Sequence, residues 1–146
     1  MSKLKSIKDY YVAAFQAING TGGYVNTVAA INQRTVNKLA EVSKGAAEIF
    51  VQIKAKKDTG PNTTKKRVRT ATVIVTGQIT NPLDAANNDA AIFSLDADVE
   101  KAAGADLHCG GAAITSRPIG TSFIYGDPSV QLESTIEVQY VDEVTP

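Results

Sequence analysis

At 146 residues, 43% hydrophobic, the chain can bury one core without staples and is short for two independent ones, so residues 1–146 are read as a single domain. The 15 Lys and Arg balance 15 Asp and Glu, which excludes a polyanion binder that works through overall charge and leaves only local charge. The single cysteine, Cys109, excludes an intramolecular disulfide, and no apolar run approaches membrane-spanning length.

The N-terminus, MSKLKSIKDYY, has lysines but no long apolar segment followed by a cleavage pattern, so no signal peptide is expected and synthesis is expected in the cytoplasm. Residues 2–19 read as the first helix, with Leu4, Ile7, Tyr11, Ala14, Phe15 and Ile18 on one face. Gly20 ends it, and Gly22 and Gly23 turn the chain. A short strand follows over residues 25–29, then a segment at 32–45 whose helical spacing (Val36, Leu39, Ala40, Val42) is weak. Residues 47–56 have strand periodicity: Ile49, Val51 and Ile53 alternate with Glu48, Gln52 and Lys54.

The central strand begins near Val68, in a run rich in β-branched residues that resists helix. Asn81 and Pro82 stop it. Between the two strands lie Asp58, Gly60, Pro61 and Asn62, so the strands are expected to form a long antiparallel hairpin with residues 54–69 as a protruding, mobile-tipped arm. Seven cations, Lys54, Lys56, Lys57, Lys65, Lys66, Arg67 and Arg69, face only Asp58 within that span. They suit an assembly or DNA-facing surface. They also suit a lysine-rich strand edge kept soluble. The arm has no aromatic side chain, which counts against stacking on single-stranded nucleic acid and leaves phosphate contact without base readout.

A second helix is marked by Ile92, Leu95, Val99 and Ala102, with Asp96, Asp98, Glu100 and Lys101 expected largely on the far side. Asp84 and Asp89 flank its start, where carboxylates favour the dipole. The loop at 104–111 holds the only histidine, His108, beside Cys109. One His and one Cys cannot complete a tetrahedral zinc site, and adjacent in a glycine-flanked loop they read as an exposed or half-buried bystander thiol, not a nucleophile with its base. Three further strands are expected at 112–116, 119–125 and 131–141, separated by turns at Arg117-Pro118 and Gly126-Asp127-Pro128. Residues 141–146 are expected to leave the sheet as a mobile tail.

These elements add up to an α+β fold: a mostly antiparallel sheet, two amphipathic helices packed on one face, and a long basic hairpin arm. There is no P-loop, HExxH or GxSxG, so no catalytic, cofactor or metal residue is assigned.

The order of features resembles the tail terminator and tail-completion proteins of long-tailed bacteriophages. The likeness lies in an N-terminal amphipathic helix, GTGGY, a strand AEIFVQI, a strand ATVIVTGQI, a helix DAAIFSLDADVEKAAG and a terminal strand IEVQYVDEV. It implies a non-enzymatic virion protein without cofactors, forming a homo-hexameric ring that caps the tail tube, stops its polymerisation and meets the head connector. The seven basic residues of the arm would then contact a neighbouring subunit, the tube protein or passing DNA. A head-completion protein of the same neck, or a small nucleic-acid-binding module using the arm, are the alternatives. An enzyme using Cys109 and His108 would need a low-pKa thiol.

Overall fold

The computed structural model describes residues 2–31, 47–60, 65–80, 88–125 and 129–143. The weakly helical segment at 32–45, the hairpin tip at 61–64, Asp84, the turn at 126–128 and residues 144–146 lie outside the described residues. The fold is α+β: helices α1 (Lys3–Gln16) and α2 (Asn88–Ala103), and strands β1 (Val28–Ile31), β2 (Ala47–Asp58), β3 (Lys66–Thr80), β4 (Thr115–Tyr125) and β5 (Ser129–Glu143). The sheet order is β1-β2-β3-β5-β4. Four strands pair antiparallel, and β1 joins β2 in parallel along Ala47 to Ile49.

The period of two along β3 decides what goes inside. Ala71, Val73, Val75 and Ile79 are buried, while Thr72, Ile74, Thr76 and Gln78 on the opposite face are only half-buried. On β5, Val130, Leu132, Ile136 and Val138 are buried in register with them. Ile7, Tyr11 and Phe15 of α1 and Ile92, Leu95, Val99 and Ala102 of α2 complete one core on that face. Each large apolar side chain removed from water there contributes about 1.5–3 kcal/mol before chain entropy is subtracted. Gly77 lies beneath α2 and beside β5: a Cβ there would lie 3.0 Å from Leu95 Cδ2 and 3.2 Å from Leu132 Cγ. The opposite sheet face is mainly polar among the described residues, with Phe50 and Ile74 half-buried between threonines, glutamines and glutamates.

Helix α1 starts where the N-cap Ser2 accepts a hydrogen bond from the Lys5 amide at 3.1 Å. Gly20, Gly22 and Gly23 all have positive φ, which carries the chain from α1 to β1 without Cβ strain.

Four expectations are corrected. The Arg117-Pro118 turn does not form: β4 runs through both residues with a bulge between Pro118 and Gly120. Proline has no N–H to give, and β4 tolerates it because it is an edge strand. The first short strand lies at Val28–Ile31 instead of 25–29, set by its parallel pairing with β2. Residues 141–143 do not leave the sheet; β5 continues to Glu143, which pairs with Lys66. Asp98 is not on a wet face but 4% exposed, because the loop before β1 folds over it.

Candidate functional site

Three places bring chemistry-bearing residues together: the β2–β3 end of the sheet, the turn around Cys109, and the rim between α2 and β4.

At the first, β2 and β3 pair from Ala47/Ile79 to Asp58/Arg69, so the two strands do form a long hairpin. β5 lies on the other side of β3, with Asp142 opposite Arg67 and Glu143 opposite Lys66. The seven cations therefore sit among three carboxylates, two of which come from a strand far away in sequence. Arg69 is engaged inside the fold: its Nε lies 2.9 Å from Asp58 and its Nη1 2.8 Å from Asp142. Strand alternation puts Lys56, Arg67 and Arg69 on the helix side of the sheet and Lys57 and Lys66 on the other. Lys54 falls at the register shift between Ile53 and Ala55. Lys54, Lys56 and Lys57 are exposed along the outer edge of β2, which beyond Ile49 has no strand partner among the described residues. The cations thus make two half-patches and an edge, not one continuous basic surface.

At the second, Asp106 organises the turn by accepting from the His108 amide at 2.9 Å and the Gly110 amide at 3.0 Å, and these bonds hold its carboxyl below the ordinary carboxylate range. The turn separates the two candidate side chains. His108 Nδ1 lies 2.8 Å from the Ile114 carbonyl, while Cys109 is 2% exposed with its sulfur 3.6 Å from the Tyr11 hydroxyl. Burial pushes the Cys109 thiol up. The expected exposed or half-buried thiol is in fact a core residue, and a nucleophile activated by His108 would need the opposite shift.

The third place was not anticipated. α2 lies over β3 and β5 and leaves its flank toward β4 half open. Asp89, Phe93, Asp96 and Glu100 recur there at i, i+4, i+7 and i+11. Phe93 is 49% exposed and meets Phe123 of β4 edge-on at 5.1 Å. Tyr125 lies beside Asp89, and burial together with that carboxylate holds its hydroxyl above the ordinary phenol range. Asp96 has a buried oxygen, Oδ1, with no hydrogen-bond partner. Burial, reinforced by Glu100, raises its carboxyl above the ordinary value. Farther along, Val99, Ala103 and Leu107 face Pro118 and Ile136 across an apolar cavity of about 50 Å³. The spacing of the acids was readable in sequence, but that β4 would lie beside them was not.

The other flank of α2 is structural. Ser94, Asp98 and Lys101 hold the loop before β1: Asp98 accepts from Val25 and Asn26, and Lys101 donates to the Gly22 carbonyl at 2.8 Å with its ammonium 4.7 Å from the Tyr24 ring centre. Among the described residues no three His, Cys, Asp or Glu gather as a metal site, and no helix is long and apolar enough to cross a membrane.

No protein-family model matches the chain, and no curated protein is significantly similar to it.

Proposed function

We propose that the chain is a structural subunit of a bacteriophage neck: a tail terminator that forms a ring on the head-proximal end of the tail tube, ends its polymerisation and joins it to the head connector. The helix and strand segments that carry the resemblance fall, in chain order, on α1, β2, β3, α2 and β5 of one helix-backed sheet, with GTGGY in the loop after α1. The observation that carries the reading is the pair of unlike lateral edges. The outer edge of β2 beyond Ile49 on one side, and the outer edge of β4 on the other, have no strand partner among the described residues. A subunit with two different side surfaces associates head to tail, and such contacts give a ring when the rotation closes. A ring whose two ends differ stops growth geometrically: one end matches the last tube layer and the other offers no equivalent docking face.

The nucleic-acid reading is weaker on the same geometry. Tracking a phosphate backbone requires a continuous basic groove, whereas here the cations divide between two sheet faces and Arg69 is already held by Asp58 and Asp142.

The test is to add the purified protein to tail tubes assembled without a terminator and to examine them by electron microscopy. Rings at one end of each tube, with elongation arrested, are expected. Tubes left uncapped and still growing, alongside salt-sensitive DNA binding by the protein, would overturn the reading in favour of a nucleic-acid module.

A further inference from the structure

The two lateral edges of the sheet differ in chemistry as well as position. The α2–β4 edge carries exposed Asp89 and Glu100 and half-buried Asp96, interleaved with Phe93 and bordered by Tyr125 of β4, which is 51% exposed. No salt bridge engages these three acids among the described residues. The β2 edge carries exposed Lys54, Lys56 and Lys57, beside half-buried Ile53.

Bare strand edges invite pairing of backbone with backbone. At β4 that route is blunted, because Pro118 lacks an amide and the bulge before Gly120 interrupts the row of donors and acceptors. What remains for β4 is docking through side chains, and there an aromatic strip flanked by carboxylates that no cation of the described residues engages suits an extended segment bearing ammonium groups.

We infer that this chain binds a second copy of itself through these unlike edges, the acidic, aromatic α2–β4 rim of one copy seating the lysine-bearing β2 edge of the next. The inference rests on the ring-forming role proposed above and supplies its lateral contact. Because the two surfaces lie at opposite sides of one sheet, each copy uses both, and the contact propagates in one direction around the ring. The like-charged pairings, rim to rim and edge to edge, are disfavoured, which gives the assembly its polarity.

The experiment uses two charge-reversed chains, one with Lys54→Glu, Lys56→Glu and Lys57→Glu, the other with Asp89→Lys and Glu100→Lys. All five positions are exposed, and thermal melts check that each variant folds. Molar mass is measured by light scattering over a concentration series at low and high salt. The wild-type chain is expected to form a discrete oligomer that weakens with salt, and each variant alone to associate about tenfold or more weakly. An equimolar mixture of the two is expected to regain the oligomer, because every contact in an alternating ring is again between opposite charges. A third variant, Tyr125→Ser, tests the aromatic part without a charge change and is expected to weaken association at both salt concentrations.

A wild-type chain that stays monomeric throughout, variants that associate unchanged, or a mixture that fails to recover each overturns the contact. The tail-capping assay is independent of these results. Reversed chains that still form a closed ring and cap tubes sink the rim contact alone, and a chain that never caps tubes sinks the neck reading whatever its mass.

Discussion

Asp98 holds Asn26 through a single carboxylate oxygen, Oδ2, which accepts from the Asn26 backbone amide and from its Nδ2, both at 2.8 Å. The Val25 amide adds bonds of 3.2 and 3.1 Å to the two oxygens. The buried Asp98 side chain therefore fastens the last residues before β1 to α2, beside the bonds that Ser94 and Lys101 make to the same loop. Replacing Asp98 with Ala strands three donors in a part-buried place, and the cost is about 2–3 kcal/mol. Urea unfolding of Asp98→Ala should show that loss with an unchanged m-value; a midpoint like that of the wild type would mean that water satisfies the donors as well as Asp98 does.

Gly77→Ala tests how tightly the centre is packed. The added methyl gains back the conformational freedom that glycine loses on folding, about 0.5–1 kcal/mol. It also enters a space where Leu95 Cδ2 lies at 3.0 Å and Leu132 Cδ2 at 3.4 Å, and overpacking of that kind costs about 1–3 kcal/mol. Both leucines are fully buried, so overpacking wins and the variant is expected to melt lower. A higher melting temperature would show that the two leucines can shift.

Asp96 sets a pH dependence. Its carboxyl is raised by burial first and by Glu100 second, so the folded state holds this proton more tightly than the unfolded state does. Stability from this group is therefore present below its ordinary value of 3.8 and is lost as pH rises through the raised folded value. Asp96→Asn removes that loss. The variant is expected to be more stable than wild type near neutral pH and to approach it in acid, read from melting temperatures across a pH series. An Asn variant destabilised at neutral pH would show that the Asp96 charge has a partner.

Cys109 gives a kinetic readout of the core. With the thiol buried beneath Tyr11 and its ionisation pushed up by that burial, alkylation of the native protein should run at least about a hundredfold slower than in denaturant. Rapid modification of the native chain near neutral pH would revive a reactive-thiol role.

How far the sequence carried is visible in single residues. Period-two alternation around Ile49 and Val51, and the β-branched run from Val68, gave β2 and β3 and their antiparallel pairing, because both strands bury one face on the same core. The stripe Ile92, Leu95, Val99 and Ala102 gave α2 and the side it buries. Pro118 misled, since proline punctuates a chain only where its missing N–H is needed, and whether β4 is at an edge is a property of the whole sheet. Asp98 misled for a related reason: a charge on the flank of an apolar stripe reads as solvated until a loop more than seventy residues away supplies its donors. The cations of the arm were legible one by one. Their separation onto two faces and the carboxylates of β5 beside them were not, because strand order is set by long-range pairing.

The ion triad at the far end of the sheet also bears on how the strands line up. Asp58, Arg69 and Asp142 come from β2, β3 and β5, three neighbouring strands. A slip of β2 or β5 by one residue past β3 would send its aspartate to the opposite face and leave the guanidinium without it. At that end, where Lys56, Lys57 and Asp58 are exposed and few apolar side chains remain to specify the alignment, the guanidinium acts as a peg through three rails. Misaligned pairings are penalised there by charge in a stretch where packing alone would tolerate them.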